Sequence, residues 1–393
     1  MNLSASAIED FKKCPTIHKL KREDRIVPIE DPDHLRVGTN WHKLLEVLSL
    51  EPESVCRDCA QLAQPVTSCL YCGGEGFLPK DTMETALRFL YDAYSIGGVL
   101  VDGREVEYYT LLNALAGYNW YWASQEQYET VVREHKFEVP IRTTTGRALP
   151  GVQLRGMIDK IVRNEHGQLL IMEHKSTGSS IDSDSTIWPH FSMSVQSYLY
   201  PQVAQRLQLD GELKDWGVKA SDPPIFGVLF DAFHKPQISP KKLTQGDSKK
   251  FVGTGEYCGQ KFNIEATYIK GPGTRLIACA ANGIVVEDEP GKKEGTFAIR
   301  ETPEMFGARL LQDIGERPGF YFARREVART TGDFERFQRE LLSIYQTIRL
   351  MKKNDSWYHN DGQCEATFRC QYMSICYANK NVEEEVPNGF KKI

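Results

Sequence analysis

Apolar positions along the chain follow two rhythms, one close to helical and one alternating, and their succession predicts an α/β protein. Ser6-Ala7-Ile8-Glu9 has the spacing of a capping box that opens a first helix, and Pro15 should stop that helix after Cys14. Trp41-His42-Lys43-Leu44-Leu45-Glu46-Val47-Leu48 repeats its apolar side chains as one buried helical face does. Residues about 81 to 130 continue helical and carry Tyr118, Trp120, Tyr121 and Trp122, which suit helix packing first and stacking on unpaired bases second. Strands follow around Phe137 to Ile141, Gly156 to Arg163 and Leu169 to Lys175, then a helix around Gln196 and a further strand from Ile225. Phe334, Phe337, Leu341, Tyr345 and Ile348 mark a late amphipathic helix. The closing Glu383-Glu384-Glu385 and Lys391-Lys392 read as a frayed tail.

Chemistry enters where two of these strands stop being apolar. Leu169-Leu170-Ile171-Met172 runs into Glu173-His174-Lys175, and alternation along a strand puts Glu173 and Lys175 on one face. Gly156-Met157-Ile158-Asp159 precedes it, and Asn164-Glu165-His166-Gly167 between the runs has the composition of a hairpin turn. Two carboxylates and an ammonium therefore converge at one end of a hairpin. Phosphodiester hydrolysis needs that set: carboxylates hold a hard divalent cation, the cation makes a bound water acidic, and a lysine orients or activates the nucleophile. The plain alternative is a surface Glu and Lys forming a weak pair.

Asp159, Glu173 and Lys175 resemble the core of the PD-(D/E)XK nuclease superfamily, and Gly156-x-x-Asp159 resembles its RecB-like branch. Gln196-Ser197-Tyr198-Leu199-Tyr200 is similar to the Gln-x-x-x-Tyr helix of that branch, and Gly38-Thr39-Asn40-Trp41-His42 to the helix that supplies a histidine ligand. Four residues apart on a helix, Gln196 and Tyr200 share a face. The resemblance implies that His42, Asp159 and Glu173, with the backbone carbonyl of His174, hold Mg²⁺ or Mn²⁺. It further implies that Lys175 acts on the attacking water and that Gln196 and Tyr200 position it and the phosphate.

Ten cysteines in 393 residues, with neither a signal peptide nor an apolar segment long enough to span a bilayer, point away from a secreted disulfide scaffold and toward metals in a cytoplasmic protein. Cys56-Arg57-Asp58-Cys59 and Cys69-Leu70-Tyr71-Cys72 form two Cys-x-x-Cys knuckles, a strong zinc signal, with glycines after the second that let backbone N–H groups turn toward sulfur. A second set is divided between the ends of the chain: Cys14 near the start, and Cys364, Cys370 and Cys376 near the close. That distribution resembles the iron–sulfur nucleases of the same superfamily, which include the AddB subunit and CRISPR-associated exonucleases, and implies a [4Fe–4S] cluster clasping both ends. The five-residue first gap of the trio departs from AddB-like sequences and is similar to phage-encoded members. Zinc, or unrelated reduced thiols, are the other readings of these four.

The resulting expectation is an α/β, restriction-endonuclease-like core, a mixed β-sheet flanked by helices, with a zinc-knuckle insertion and an iron–sulfur clasp. Its parts are residues 1–50 (first helices), 51–80 (zinc knuckle), 81–130 (helical insertion), 131–239 (nuclease core), 240–315 (irregular β insertion), 316–380 (late helix and cluster segment) and 381–393 (tail). A net charge of −5 excludes a broad basic coat, so DNA contacts must be local. Candidates are Lys235, Lys241, Lys242, Lys249 and Lys250 around one loop, and Arg324 with Arg325. The function implied is a metal-dependent DNA exonuclease in recombination, repair or phage genome processing, working with a helicase or recombination partner and not with a membrane. A catalytically silent DNA-binding or assembly subunit and an iron–sulfur redox protein are the alternatives.

Overall fold

The fold, a computed structural model, describes residues 1–393 except 30–32, 61, 63–65, 126, 270–274, 294, 367–368, 379–381 and 383. In chain order its main elements are β1 (Asn2–Leu3), α1 (Ala5–Lys13), β2 (Ile26–Pro28), α2 (Asp33–Leu48), α3 (Thr82–Tyr94) and α4 (Glu105–Ala123). There follow β3 (Tyr128–Arg142), β4 (Ala148–Asn164), β5 (Leu169–Thr177), α5 (Val195–Leu209), β6 (Gly227–His234) and α6 (Gln245–Thr254). The chain closes through α7 (Pro303–Glu316), β7 (Phe322–Ala328), α8 (Thr331–Asn354) and β8 (Phe390–Lys392).

Six strands build one mixed sheet in the order β1-β4-β5-β6-β7, with β3 also on β4. The β3–β4–β5 meander is antiparallel, β5 and β6 run parallel through the α5 crossover, and β7 returns antiparallel. β6 is buried at every position, as a central strand covered on both faces must be. On one side Ile171, Phe230 and Ala232 pack with side chains of α1, α5 and α8. On the other, Phe233 and Phe322 pack with α2, α3, α4 and α7, and Trp41 stacks on Phe233 at 4.2 Å. The mixed sheet with helices on both faces is the α/β core expected.

Three local readings change. The first helix is capped by Ser4, whose Oγ accepts from the Ala7 N–H at 3.1 Å, and not by Ser6. Glu9 is used elsewhere, accepting from the Val195 N–H at 2.6 Å where α5 begins, so it cannot close a capping box on Ser6. Between residues 240 and 315 two helices, α6 and α7, accompany the short strands, and α7 packs so closely on α4 that a Cβ at Gly117 would come within 2.5 Å of Ile314; residues 270–274 of this stretch lie outside those described. The tail is not frayed at its end: Phe390–Lys392 pairs antiparallel with Ile26–Pro28, and Phe390 rests on Tyr372 at 5.6 Å between ring centres. Glu383 of the acidic run lies outside the described residues.

Candidate functional site

β4 and β5 pair only from Arg163–Leu169 to Lys160–Met172, and the next residues, Asp159 and Glu173, stand where the two strands part. Gly156 makes this stretch possible, because a Cβ there would lie 2.6 Å from the Phe137 ring on β3. Glu173 is 2% exposed; Oε1 accepts from Lys175 Nζ at 2.9 Å, while Oε2 is buried without a partner among the described residues. Lys175 also donates to Oε1 of Gln196 in the first turn of α5. One turn later Tyr200 is buried, edge-on to Phe137 at 5.9 Å, and hydrogen bonds Gln196. The sheet and α5 thus bring Glu173, Lys175, Gln196 and Tyr200 into one chain of contacts.

Asp159 faces a cavity of about 290 Å³ whose wall includes His42, Glu46, Glu134, Lys160 and His174. Burial, then the Glu173 charge, pushes the Asp159 carboxyl up to about 7. His42 on α2 is pushed down to about 3 by burial and then by His174 and Lys175, so its imidazole is neutral and keeps a lone pair to donate. Two carboxylates that resist being charged together, one oxygen without a partner and a neutral imidazole form a donor set that a divalent cation satisfies. β4 has left by this point, so the backbone of β5 beyond Met172 has no ladder partner on the β4 side.

The His174 side chain is directed into a different set of contacts. Its Nδ1 bonds Asp231 Oδ2 at 2.7 Å, and its Nε2 is buried without a partner. Asp231 also accepts from Tyr118 Oη at 2.6 Å and Arg324 Nε at 3.0 Å. Burial opposes its charge, but Arg324 and these hydrogen bonds hold the Asp231 carboxyl well below the usual range. Arg324 lies over the Trp122 ring at 3.9 Å and turns inward. Arg325 sits over Trp188 at 5.6 Å and donates to the Ser183 carbonyl. Lys242 of the lysine loop pairs with Glu289, while Lys249 and Lys250 are exposed on α6.

Cys56, Cys59, Cys69 and Cys72 place their sulfurs within 4.8 Å of one another, and Cys56–Cys69 and Cys59–Cys72 are each 3.7 Å apart. A tetrahedral ion with metal–sulfur bonds of about 2.3 Å needs sulfur–sulfur edges of about 3.8 Å. Gly73, Gly74 and Gly76 take positive φ, and N–H groups of Gly76 and Gly74 bond Cys72, lowering its thiol to about 7 against the upward push of burial. This cluster could hold a metal. Arg57, between its first two cysteines, reaches Glu46 at 2.7 Å and also bonds Glu134 and Tyr71, so the knuckle braces the wall of the Asp159 cavity.

The terminal cysteines gather more loosely. Cys14 packs with Cys370 and Cys376 and accepts from the Asn360 N–H at 3.3 Å, and burial, then the neighbouring thiols, Cys14 among them, pushes the Cys364 and Cys376 thiols up. Among the described residues the only gathering of three or more His, Cys, Asp or Glu side chains placed to share one metal ion is the Cys56, Cys59, Cys69 and Cys72 set, which does not include these four. Arg57, Glu46, Glu134, Lys160 and Asp231 escaped the sequence reading; Asp231, a lone acid inside Gly227-Val-Leu-Phe-Asp-Ala-Phe-His234, was the one with a visible signal.

The family model of the PD-(D/E)XK nuclease superfamily matches residues 2–377. No curated protein matches the chain. Among the described residues no helix is long and apolar enough to cross a membrane.

Proposed function

The chain belongs to the PD-(D/E)XK nuclease superfamily, whose members are generally divalent-metal-dependent nucleases, and on that premise we propose a DNA exonuclease of the RecB-like, iron–sulfur kind. It would act in the cytoplasm in recombination, repair or phage genome processing, beside a helicase or recombination partner. The observation that carries this reading is the unpartnered Oε2 of Glu173, buried beside Asp159 and next to a lysine already fixed by Gln196.

His42, Asp159, Glu173 and the His174 carbonyl would hold Mg²⁺ or Mn²⁺, which supplies an acidified water and neutralises charge developing on the phosphate. Lys175, anchored by Glu173 and Gln196, is oriented to hold that water or take its proton. Gln196 fixes the ammonium, and Tyr200 fixes Gln196. Cys56, Cys59, Cys69 and Cys72 would hold structural Zn²⁺, as the 3.7 Å sulfur pairs suit. Cys14, Cys364, Cys370 and Cys376 would hold the [4Fe–4S] cluster, a reading supported by the packing of Cys14 against Cys370 and Cys376. The test is cleavage of linear and circular, single- and double-stranded DNA with and without divalent metal. Release of nucleotides only from ends and only with metal is the expected result; no cleavage of any substrate with Mg²⁺ or Mn²⁺ refutes it.

A further inference from the structure

Next to the acid-rich cavity, and sharing Ser49 and Lys160 with it, lies a second cavity of about 410 Å³. Its wall contains Arg133, Lys160 and Arg324 and no aspartate or glutamate, although the whole chain carries a net charge of −5. Lys160 has no carboxylate within 4.0 Å among the described residues. Asp159, beside it in sequence, lines the first cavity and not the second, and Asp231 is absent from the wall. Trp122 lines the same cavity, and its indole N–H is buried without an acceptor. Arg133 spends its Nε on the Ser49 carbonyl at 2.8 Å, and Arg324 its Nε on Asp231 and one Nη on Tyr118, which leaves each guanidinium further N–H groups.

We propose that this cavity binds a terminal phosphate monoester of the nucleic-acid strand whose neighbouring linkage is cut in the Asp159 cavity, and so selects phosphorylated ends. The inference rests on the nuclease reading for its substrate. Arg324 is balanced by Asp231, but Arg133 and Lys160, with no carboxylate within 4.0 Å among the described residues, and the buried indole N–H leave donors that an anionic acceptor satisfies. A monoester carries close to two charges and three terminal oxygens, against one charge and two such oxygens for an internal diester, and is the better match. Ser49 and Lys160 line both cavities, so the two lie side by side.

Fluorescence anisotropy of one labelled oligonucleotide, bearing a 5′-phosphate, a 3′-phosphate or only hydroxyl ends, measures this in EDTA, where no cleavage occurs. One phosphorylated end should bind about 10-fold or more tightly than the hydroxyl form, the scale of one charge-assisted hydrogen bond. The arm that gains affinity identifies which terminus enters. Arg133→Gln, at a residue that lines this cavity and not the Asp159 cavity, should collapse the preference while leaving hydroxyl-ended binding within about twofold, and Trp122→Phe, which keeps the ring, should reduce it in part. Equal affinity for all three forms, or a preference undiminished in both variants, would overturn the proposal. Because the assay needs no turnover, an inactive wild type that still prefers one phosphorylated end would count against the nuclease reading alone.

Discussion

The two faces of β5 treat charge in opposite ways. On one, among the described residues, Glu173 keeps a buried oxygen without a partner, and Lys175 is held by Glu173 and Gln196. On the other, where His174 one residue along points, Asp231 of the neighbouring β6 is saturated by His174, Tyr118 and Arg324. Both carboxylates are 2% exposed, so burial does not distinguish them. Partnership does. A fully bonded buried carboxylate adds rigidity and requires nothing more, whereas one with an unfilled oxygen is a cost that binding a cation removes. Under the proposed function, the bonded Asp231 face would hold the Glu173 face in register.

The sharpest way to break this contrast is to remove charge from the saturated face. Asp231→Asn keeps the shape but leaves Arg324 buried without its counter-ion, and should cost about 3–5 kcal/mol of stability in urea unfolding. Glu173→Gln should cost less, about 1 kcal/mol or under, since only one of its two oxygens has a partner, Lys175. Equal losses in both would mean that the faces do not differ.

A second contrast lies between the two cysteine sets. Cys69→Ser should lower zinc and leave iron unchanged, and by releasing Arg57 from Glu46 and Glu134 should reduce cleavage about 10–100-fold, the range seen when groups supporting a metal site are lost. Cys14→Ser should instead remove iron and loosen both termini. Elemental analysis of both purified variants decides, and full iron in the Cys14 variant would remove the clasp from the account. His42→Ala should raise the Mn²⁺ concentration needed for half-maximal activity about 10-fold, because both carboxylates remain. Gly156→Ala should cost about 1–3 kcal/mol by pressing a methyl group on Phe137, with a thermal shift as the measurement.

What could be read from the sequence was what is local. Glu173 and Lys175 share a face by alternation, Gln196 and Tyr200 share one by helical spacing, and the two knuckles lie within one short stretch. Asp231 was invisible as a hub because Tyr118, His174 and Arg324 come from three distant segments. Ser4 and Ser6 are equivalent as caps until Glu9 is seen bonding α5. Lys391 and Lys392 look like solvated charge, yet β8 finds its partner strand more than 350 residues upstream. In each case the deciding contact is long-range.

The central claim is that the unsatisfied face of β5 is a metal-dependent phosphodiesterase centre. Nucleotide release from linear DNA, measured for the wild type and Glu173→Gln over a Mn²⁺ titration, tests it most directly. Wild-type cleavage that requires Mn²⁺, with a loss on the order of 100-fold or more in a folded, iron-replete Glu173→Gln protein, is the predicted result. Cleavage at near wild-type rate in that variant would contradict it.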